Sequence, residues 1–303
     1  MSAVVSGRRS PRLQLMAASR ALLFYCIVCT ANALELSRRC AIAGVCGCGC
    51  KAIPALALAD LVSQPQYSST VPPVERNEAT DASFACTMAN GMKGYERAAA
   101  PIKERLFSSL FAPGSGLPSD GAVIVEVGIG TFPNAPYYTD ALQSGFQHVD
   151  IVGVDPNVAM EPFAQTAHRQ SKLASASTLR VVRGVAEALP LADRSADAVV
   201  CTLTLCSVVD PAAALREMVR VLRPGGRLVF LEHVLSEDDP FLAQQQLALT
   251  PLQSLSADGC HLDRRTLETV RQTRGFASVD ASITKLDGFW YLSPTAAGVA
   301  IKA

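Results

Sequence analysis

Charge is scarce in this sequence: Asp, Glu, Lys and Arg make up 18% of its 303 residues, and 27 bases balance 27 acids. The balance hides a division. Residues 1–59 hold seven Lys/Arg against Glu35 alone, a net of +6, so the remainder, with 20 bases and 26 acids, stands at −6. No basic stripe crosses that acidic part, which argues against nucleic acid as its partner. Cysteine is rare where folding would need it. Six of the ten lie at 26–50, Cys86 stands in a linker-like region, and only Cys201, Cys206 and Cys260 fall where the chain reads as folded. Three thiols make no disulfide framework. The Cys46-Gly47-Cys48-Gly49-Cys50 run has no His and no second CxxC at ligand spacing, so no metal site is expected. The apolar run at 21–29 falls short of the roughly 20 residues that span a bilayer. There is no internal repeat. What is present is a content of 49% hydrophobic residues, ample for a buried core.

Residues 1–20 are basic and acid-free, the apolar run follows, and Ala31-Asn32-Ala33 closes it with the small-x-small pattern of a cleavage site. That is the build of a secretory signal peptide. Ser37-Arg38-Arg39-Cys40 then leads into a mildly apolar run ending Ala57-Leu58-Ala59, which resembles a twin-arginine export signal. Two addresses in series resemble the presequences of plastid proteins in algae whose plastid has extra membranes. They imply a plastid location, stroma or thylakoid. The alternatives are one anchor in the endomembrane system, or an overextended start. Residues 60–83, with Pro65, Pro72 and Pro73 among Ser, Thr and Gln, read as a linker before a domain at 84–303.

In that domain strands alternate with helices. Tyr95, Ala99, Ile102, Leu106 and Leu110 recur at helical spacing. Strands are expected at 122–127, 150–154, 179–182, 196–203 and 227–231, with helices at 134–143, 159–173 and 211–222. Arg223-Pro224-Gly225-Gly226 reads as the stop of the last helix. A less regular stretch, a helix near 264–274 and strands at 276–284 and 296–302 complete the chain. The pattern specifies one α/β domain: a doubly wound, mostly parallel sheet of the Rossmann-like kind, covered on both faces.

Ligands of such sheets bind beyond the carboxyl ends of the strands. There the first strand ends in Glu126-Val127-Gly128-Ile129-Gly130, two glycines that let the backbone turn tightly and approach a ligand. A dinucleotide fingerprint wants a third glycine at 133, where this chain has Pro133. Glu126 would repel a pyrophosphate but attract the ammonium and sulfonium of S-adenosylmethionine. Asp155 ends the second strand, where an acid accepts both ribose hydroxyls. Val185, Ala186 and Glu187 follow the third strand, at the adenine edge. The fourth strand, with Thr202, runs beneath the donor.

This ordered series resembles the class I S-adenosylmethionine-dependent methyltransferases. Cys201-Thr-Leu-Thr-Leu-Cys206-Ser-Val208, Glu232-His233-Val234 and Asp258-Gly259-Cys260-His-Leu-Asp-Arg264 are further similar to the methyltransferase-like thiol methyltransferases of the type 7 group. The resemblance implies methyl transfer to the sulfur of small lipophilic thiols, and plant and algal relatives with plastid addresses. Two positions depart from that group. Phe132 stands where relatives have glycine, and 241–250 lacks the tryptophans that precede their DGC motif.

A thiol acceptor needs a base or a positive charge to become thiolate. His233, at the end of the fifth strand, is the candidate, acting on a rim with Glu232 and the segment 258–261. His261 is a weaker one, and His148 and His168 read as surface residues. Cys201 and Cys206 read as small buried hydrophobes. The expected partner is one small-molecule acceptor of a monomeric chain, with peripheral attachment to a membrane. The competing readings are a plastid quinone or phenolic C- or O-methyltransferase, and a degenerate methyltransferase-like binding protein.

Overall fold

The computed structural model describes residues 76–303 except Ser144, so both addresses, the cysteines at 26–50 and the start of the linker lie outside the described residues. Helix begins earlier than composition suggested. Helix α1 spans Glu78–Gly91, its first six residues lying in the stretch read as linker, and Asn77 caps it by accepting the N–H groups of Ala79 and Thr80. Cys86 is buried on this helix rather than lying in a linker. Helix α2 spans Lys93–Leu110 and turns Tyr95, Ala99, Ile102, Leu106 and Leu110 into the core, as their spacing demands.

Seven strands follow: β1 Ala122–Val127, β2 Val149–Asp155, β3 Ser177–Arg183, β4 Ala196–Thr202, β5 Leu222–His233, β6 Phe276–Lys285 and β7 Pro294–Lys302. They form one sheet in the order β3-β2-β1-β4-β5-β7-β6. The first five pair in parallel, and β7 runs antiparallel to both β5 and β6. Helices α3 Ala135–Gln143, α4 Glu161–Gln170, α5 Pro211–Val221, α6 Pro240–Ser256 and α7 Thr266–Gln272 complete the order. The doubly wound α/β expectation holds. Strands β1 and β4 are buried almost throughout, because side chains leave a covered sheet into apolar layers on both faces.

Two local readings are corrected. Arg223–Gly226 does not merely end α5. It lies within β5, where Leu222 pairs with Ala196 and the register then shifts before Ala198 meets Arg227. The irregular stretch is largely α6, capped by Asp239 with Pro240 at the first turn. Its leucines point several ways and Pro251 interrupts it, so no single apolar stripe announces it. Asp197 lies at the opposite end of the sheet from the glycine turn. There it accepts the Val123 N–H at 2.8 Å and pairs with Arg223.

Candidate active site

The turn after β1 is built on Gly128, whose φ of +68° is readily open only to glycine. Its N–H donates to the Val154 carbonyl at 2.7 Å, fixing the turn to β2. A Cβ at Gly128 would lie 2.1 Å from Thr204 Oγ1, so the backbone passes flush against the loop after β4. Above this turn opens a cavity of about 760 Å³ at the carboxyl ends of the parallel strands. Gly128, Gly130, Asp155, Val185, Ala186, Glu187 and Thr202 all line it.

Asp155 is buried at the end of β2. One carboxylate oxygen accepts the Gly130 N–H and the other the Asn157 N–H, each at 2.9 Å. Burial pushes its carboxyl up to about 6, against the pull of those two hydrogen bonds. Each oxygen keeps a second lone pair for a hydroxyl donor. Glu187 is also engaged: Oε1 accepts the N–H groups of Val209 at 2.6 Å and Asp210 at 3.2 Å, bracing the loop before α5.

Glu126 takes a different place from the one its position suggested. It does not line the cavity but is 1% exposed beneath the turn. Asn134 Nδ2 donates to its Oε1 at 2.9 Å and the Tyr138 hydroxyl to its Oε2 at 2.7 Å. Burial raises its carboxyl to about 7. Asn134 also donates to Thr202 Oγ1 at 3.0 Å, so one amide joins the first and fourth strands. Its own Oδ1 is buried without a partner, between the cavity-lining residues Pro133 and Ala135.

Phe132 keeps the backbone of the glycine it replaces. Its φ is +61° and its N–H closes the turn onto the Ile129 carbonyl at 2.9 Å. The ring is 1% exposed and packs 5.6 Å from Tyr138, in the core rather than across the turn. Of the five non-glycine residues with positive φ among the described residues, Phe132, Leu203 and Asp258 line the cavity. Backbone strain of this kind persists where surrounding structure enforces it, and it gathers at ligand sites.

His233 is the second correction. It is 7% exposed and does not line the cavity. Its ring stands edge-on to Tyr95 at 5.5 Å, and Nδ1 lies 3.5 Å from Cys260 Sγ. The ring is therefore packed behind the cavity wall and is not part of its lining. Glu232, also expected on the rim, is wholly buried and accepts the N–H groups of Thr204 and Cys206 at 3.0 and 3.1 Å. His261 pairs outward with Asp263 at 3.3 Å, and His168 is buried against Ser177 rather than on the surface. Cys201 and Cys206 are buried thiols, as expected. Of the 258–261 segment, Asp258 and Gly259 reach the cavity.

The front wall is what sequence reading missed. Phe84, Met88 and Met92 bring apolar surface to the cavity, while Lys93, Glu96 and Lys103 bring charge. Arg76, just ahead of α1, pairs with both Asp81 at 2.8 Å and Asp258 at 3.0 Å. Asn157 Nδ2 donates to the Asp81 carbonyl at 3.0 Å, which ties α1 to the end of β2 as well. Lys103 is 1% exposed and ion-paired with Glu96 at 2.6 Å.

A cradle that a single Cβ would fill and an acid with free lone pairs at the end of β2 fit S-adenosylmethionine. The methyltransferase domain family matches residues 125–230. The chain is 36% identical to human thiol S-methyltransferase TMT1A over 186 residues, covering 59% of this chain and 69% of that one. Rat thiol S-methyltransferase TMT1B is 34% identical over 156 residues, 52% of this chain and 61% of that one. The methyltransferase solved in complex with the Haloferax volcanii Trm112 activator superposes with a TM-score of 0.54 at 17% identity, over 75% of this chain and 99% of that one. It shares the fold. The chain belongs to the class I S-adenosylmethionine-dependent methyltransferases, in the family that includes human thiol S-methyltransferase TMT1A, and S-adenosylmethionine is its methyl donor.

Proposed function

We propose that the enzyme methylates the sulfur of a small lipophilic thiol. The observation that carries this reading is the front wall: Phe84, Met88 and Met92 line the same cavity as the glycine turn. An apolar wall in the cavity of the donor cradle selects an acceptor by burial, without a polar code. The two curated relatives named above are thiol S-methyltransferases, which supports the same choice. Bound S-adenosylmethionine supplies an electrophilic methyl on a sulfonium. Gly128 and Gly130 let the backbone close on the donor, Asp155 accepts its ribose hydroxyls, and residues 185–187 and Thr202 border the remainder. The acceptor needs positioning in line with that methyl, and a field that favours thiolate over thiol. Lys93 brings positive charge to the cavity for that purpose, whereas Arg76 is already balanced by Asp81 and Asp258.

The test is a product assay with labelled donor and a panel of alkyl thiols, phenols and quinols. Label on sulfur is expected. Methylation confined to carbon or oxygen would overturn the thiol reading and favour a quinone or phenol acceptor.

We also propose delivery to a plastid by residues 1–59, and a monomer that rests on a membrane surface. Among the described residues no helix is long and apolar enough to span a bilayer. Helix α6, however, carries no charged residue and exposes Phe241, Leu247, Leu252 and Leu255, a surface suited to an interfacial role. A fluorescent fusion of 1–59 and vesicle co-sedimentation would test the two parts.

A further inference from the structure

Beside the donor cavity the fold gathers three side chains that stand far apart in sequence. Cys206, in the loop after β4, His233, at the end of β5, and Cys260, after α6, bring their ligand atoms within 4.8 Å of one another. All three are buried. We propose that they form a site for a soft divalent metal ion of the zinc class, with two thiolates and one imidazole as ligands.

Geometry supports the assignment. Cys260 Sγ and His233 Nδ1 are 3.5 Å apart. Bonds of about 2.3 Å from zinc to sulfur and 2.0–2.1 Å to nitrogen, at a tetrahedral angle, place the two donors about 3.6 Å apart. Chemistry supports it too. Sulfur and imidazole donors select zinc-like ions over calcium or magnesium, which take oxygen. On binding, both thiols release their protons to solvent, so two negative ligands meet one dication and the buried site is neutral.

The histidine has no competing employment. Among the described residues no carboxylate or carbonyl receives its ring, and Nδ1 lies against the Cys260 thiol. The backbone around it is already fixed for such a role. Glu232 accepts the Cys206 N–H at 3.1 Å, and the His261 N–H donates to the Cys206 carbonyl at 2.8 Å. A Cβ on Gly259 would lie 2.8 Å from the Ser207 carbonyl, so the two cysteine segments pass in close contact. Ser207 and Gly259, next to the two cysteines, line the donor cavity. A metal at this place therefore ties two segments of the cavity wall together.

The test uses the full chain, reduced and stripped with chelator, then incubated with zinc chloride and desalted. Elemental analysis should find about one zinc per chain, and X-ray absorption at the zinc edge should show two sulfur neighbours. A cobalt(II) sample should show thiolate-to-metal charge transfer. The Cys206→Ser/Cys260→Ser variant should retain less than about a tenth of the zinc. Circular dichroism on that variant reports whether it folds, and the absorption spectrum of the wild type reads the ligands without any variant. Two results would overturn the site: less than about a tenth of an equivalent on the reduced wild type, or undiminished zinc on the double variant, which would place the metal elsewhere in the chain.

Discussion

Asp155 Oδ2 accepts the Gly130 N–H at 2.9 Å, so the acid at the end of β2 grips the turn that follows β1. One side chain therefore shapes the glycine turn and lines the cavity, where the proposed donor ribose would meet it. Removing a charge-assisted hydrogen bond costs on the order of 1.5–3 kcal/mol. Asp155→Ala should weaken donor binding tenfold or more, read by calorimetry, with circular dichroism unchanged. Its carboxyl titrates at about 6, raised by burial. Below that pH the proton removes an acceptor and a charge, so donor affinity should fall as pH drops from 7 to 5. Asp155→Asn should flatten that profile. A wild-type affinity constant from pH 5 to 8 would take Asp155 out of the donor site.

Glu126 carries a different pH signature. Its folded value of about 7 lies above the ordinary carboxylate value of 4.5. The folded state therefore holds the proton more tightly, and unfolding stability from this group falls as pH rises from 4.5 to 7. The penalty above pH 7 is roughly 3 kcal/mol at most. Glu126→Gln keeps an oxygen for Asn134 and offers an amide to Tyr138. It should match the wild type near pH 5 and be more stable at pH 8, as denaturant midpoints will show. Equal shifts at both pH values would count against this account.

Phe132 tests which of two opposing effects is larger. Glycine there would relieve a left-handed residue, worth about 1–2 kcal/mol. It would also empty the space of a buried ring, worth about 3–5 kcal/mol. The second effect is larger, so Phe132→Gly should lower stability by roughly 1–4 kcal/mol despite relieving the left-handed backbone. A stabilised variant would show that strain, not packing, governs this turn.

Gly128→Ala would push a methyl into Thr204, 2.1 Å from its Oγ1, at a φ of +68°. Both the turn and the loop after β4 must shift. Donor affinity should drop at least tenfold, by calorimetry, while the far side of the sheet keeps its hydrogen-exchange protection.

Arg76→Ala removes both ion pairs that tie the start of α1 to Asp81 and Asp258. The pair with Asp81 is largely buried, so stranding that carboxylate costs on the order of 3 kcal/mol. Acceptor KM should rise several-fold, alongside a measurable loss of stability. An unchanged KM would remove the front wall from acceptor binding.

Much of the site is legible because strand ends are legible. Gly128, Gly130, Asp155, residues 185–187 and Thr202 all follow from locating where β1 to β4 stop. What such reading does not supply is the face on which a side chain lies. Successive residues of a strand point to opposite sides. Glu126 and His233 stand at the right strand ends, yet neither lines the cavity. The front wall was invisible for another reason. Phe84, Met88 and Met92 belong to a weakly amphipathic stretch at the very start of the expected domain, where no apolar periodicity marks a wall. The cluster of Cys206, His233 and Cys260 shows no motif spacing, because the sheet and not the local chain assembles it. Strand alternation, by contrast, specified the doubly wound fold almost completely, missing chiefly α1 and α6.

The antiparallel strand β7 sits between β5 and β6 and hydrogen-bonds to both. During synthesis β5 emerges long before its neighbour, so its outer row of N–H and C=O groups stays open until residues 294–302 leave the ribosome. An open edge is a template for pairing with other chains. Nascent chains halted before residue 294 would expose the outer edge of β5 and leave β6 without its partner, and they are the species most in need of a chaperone.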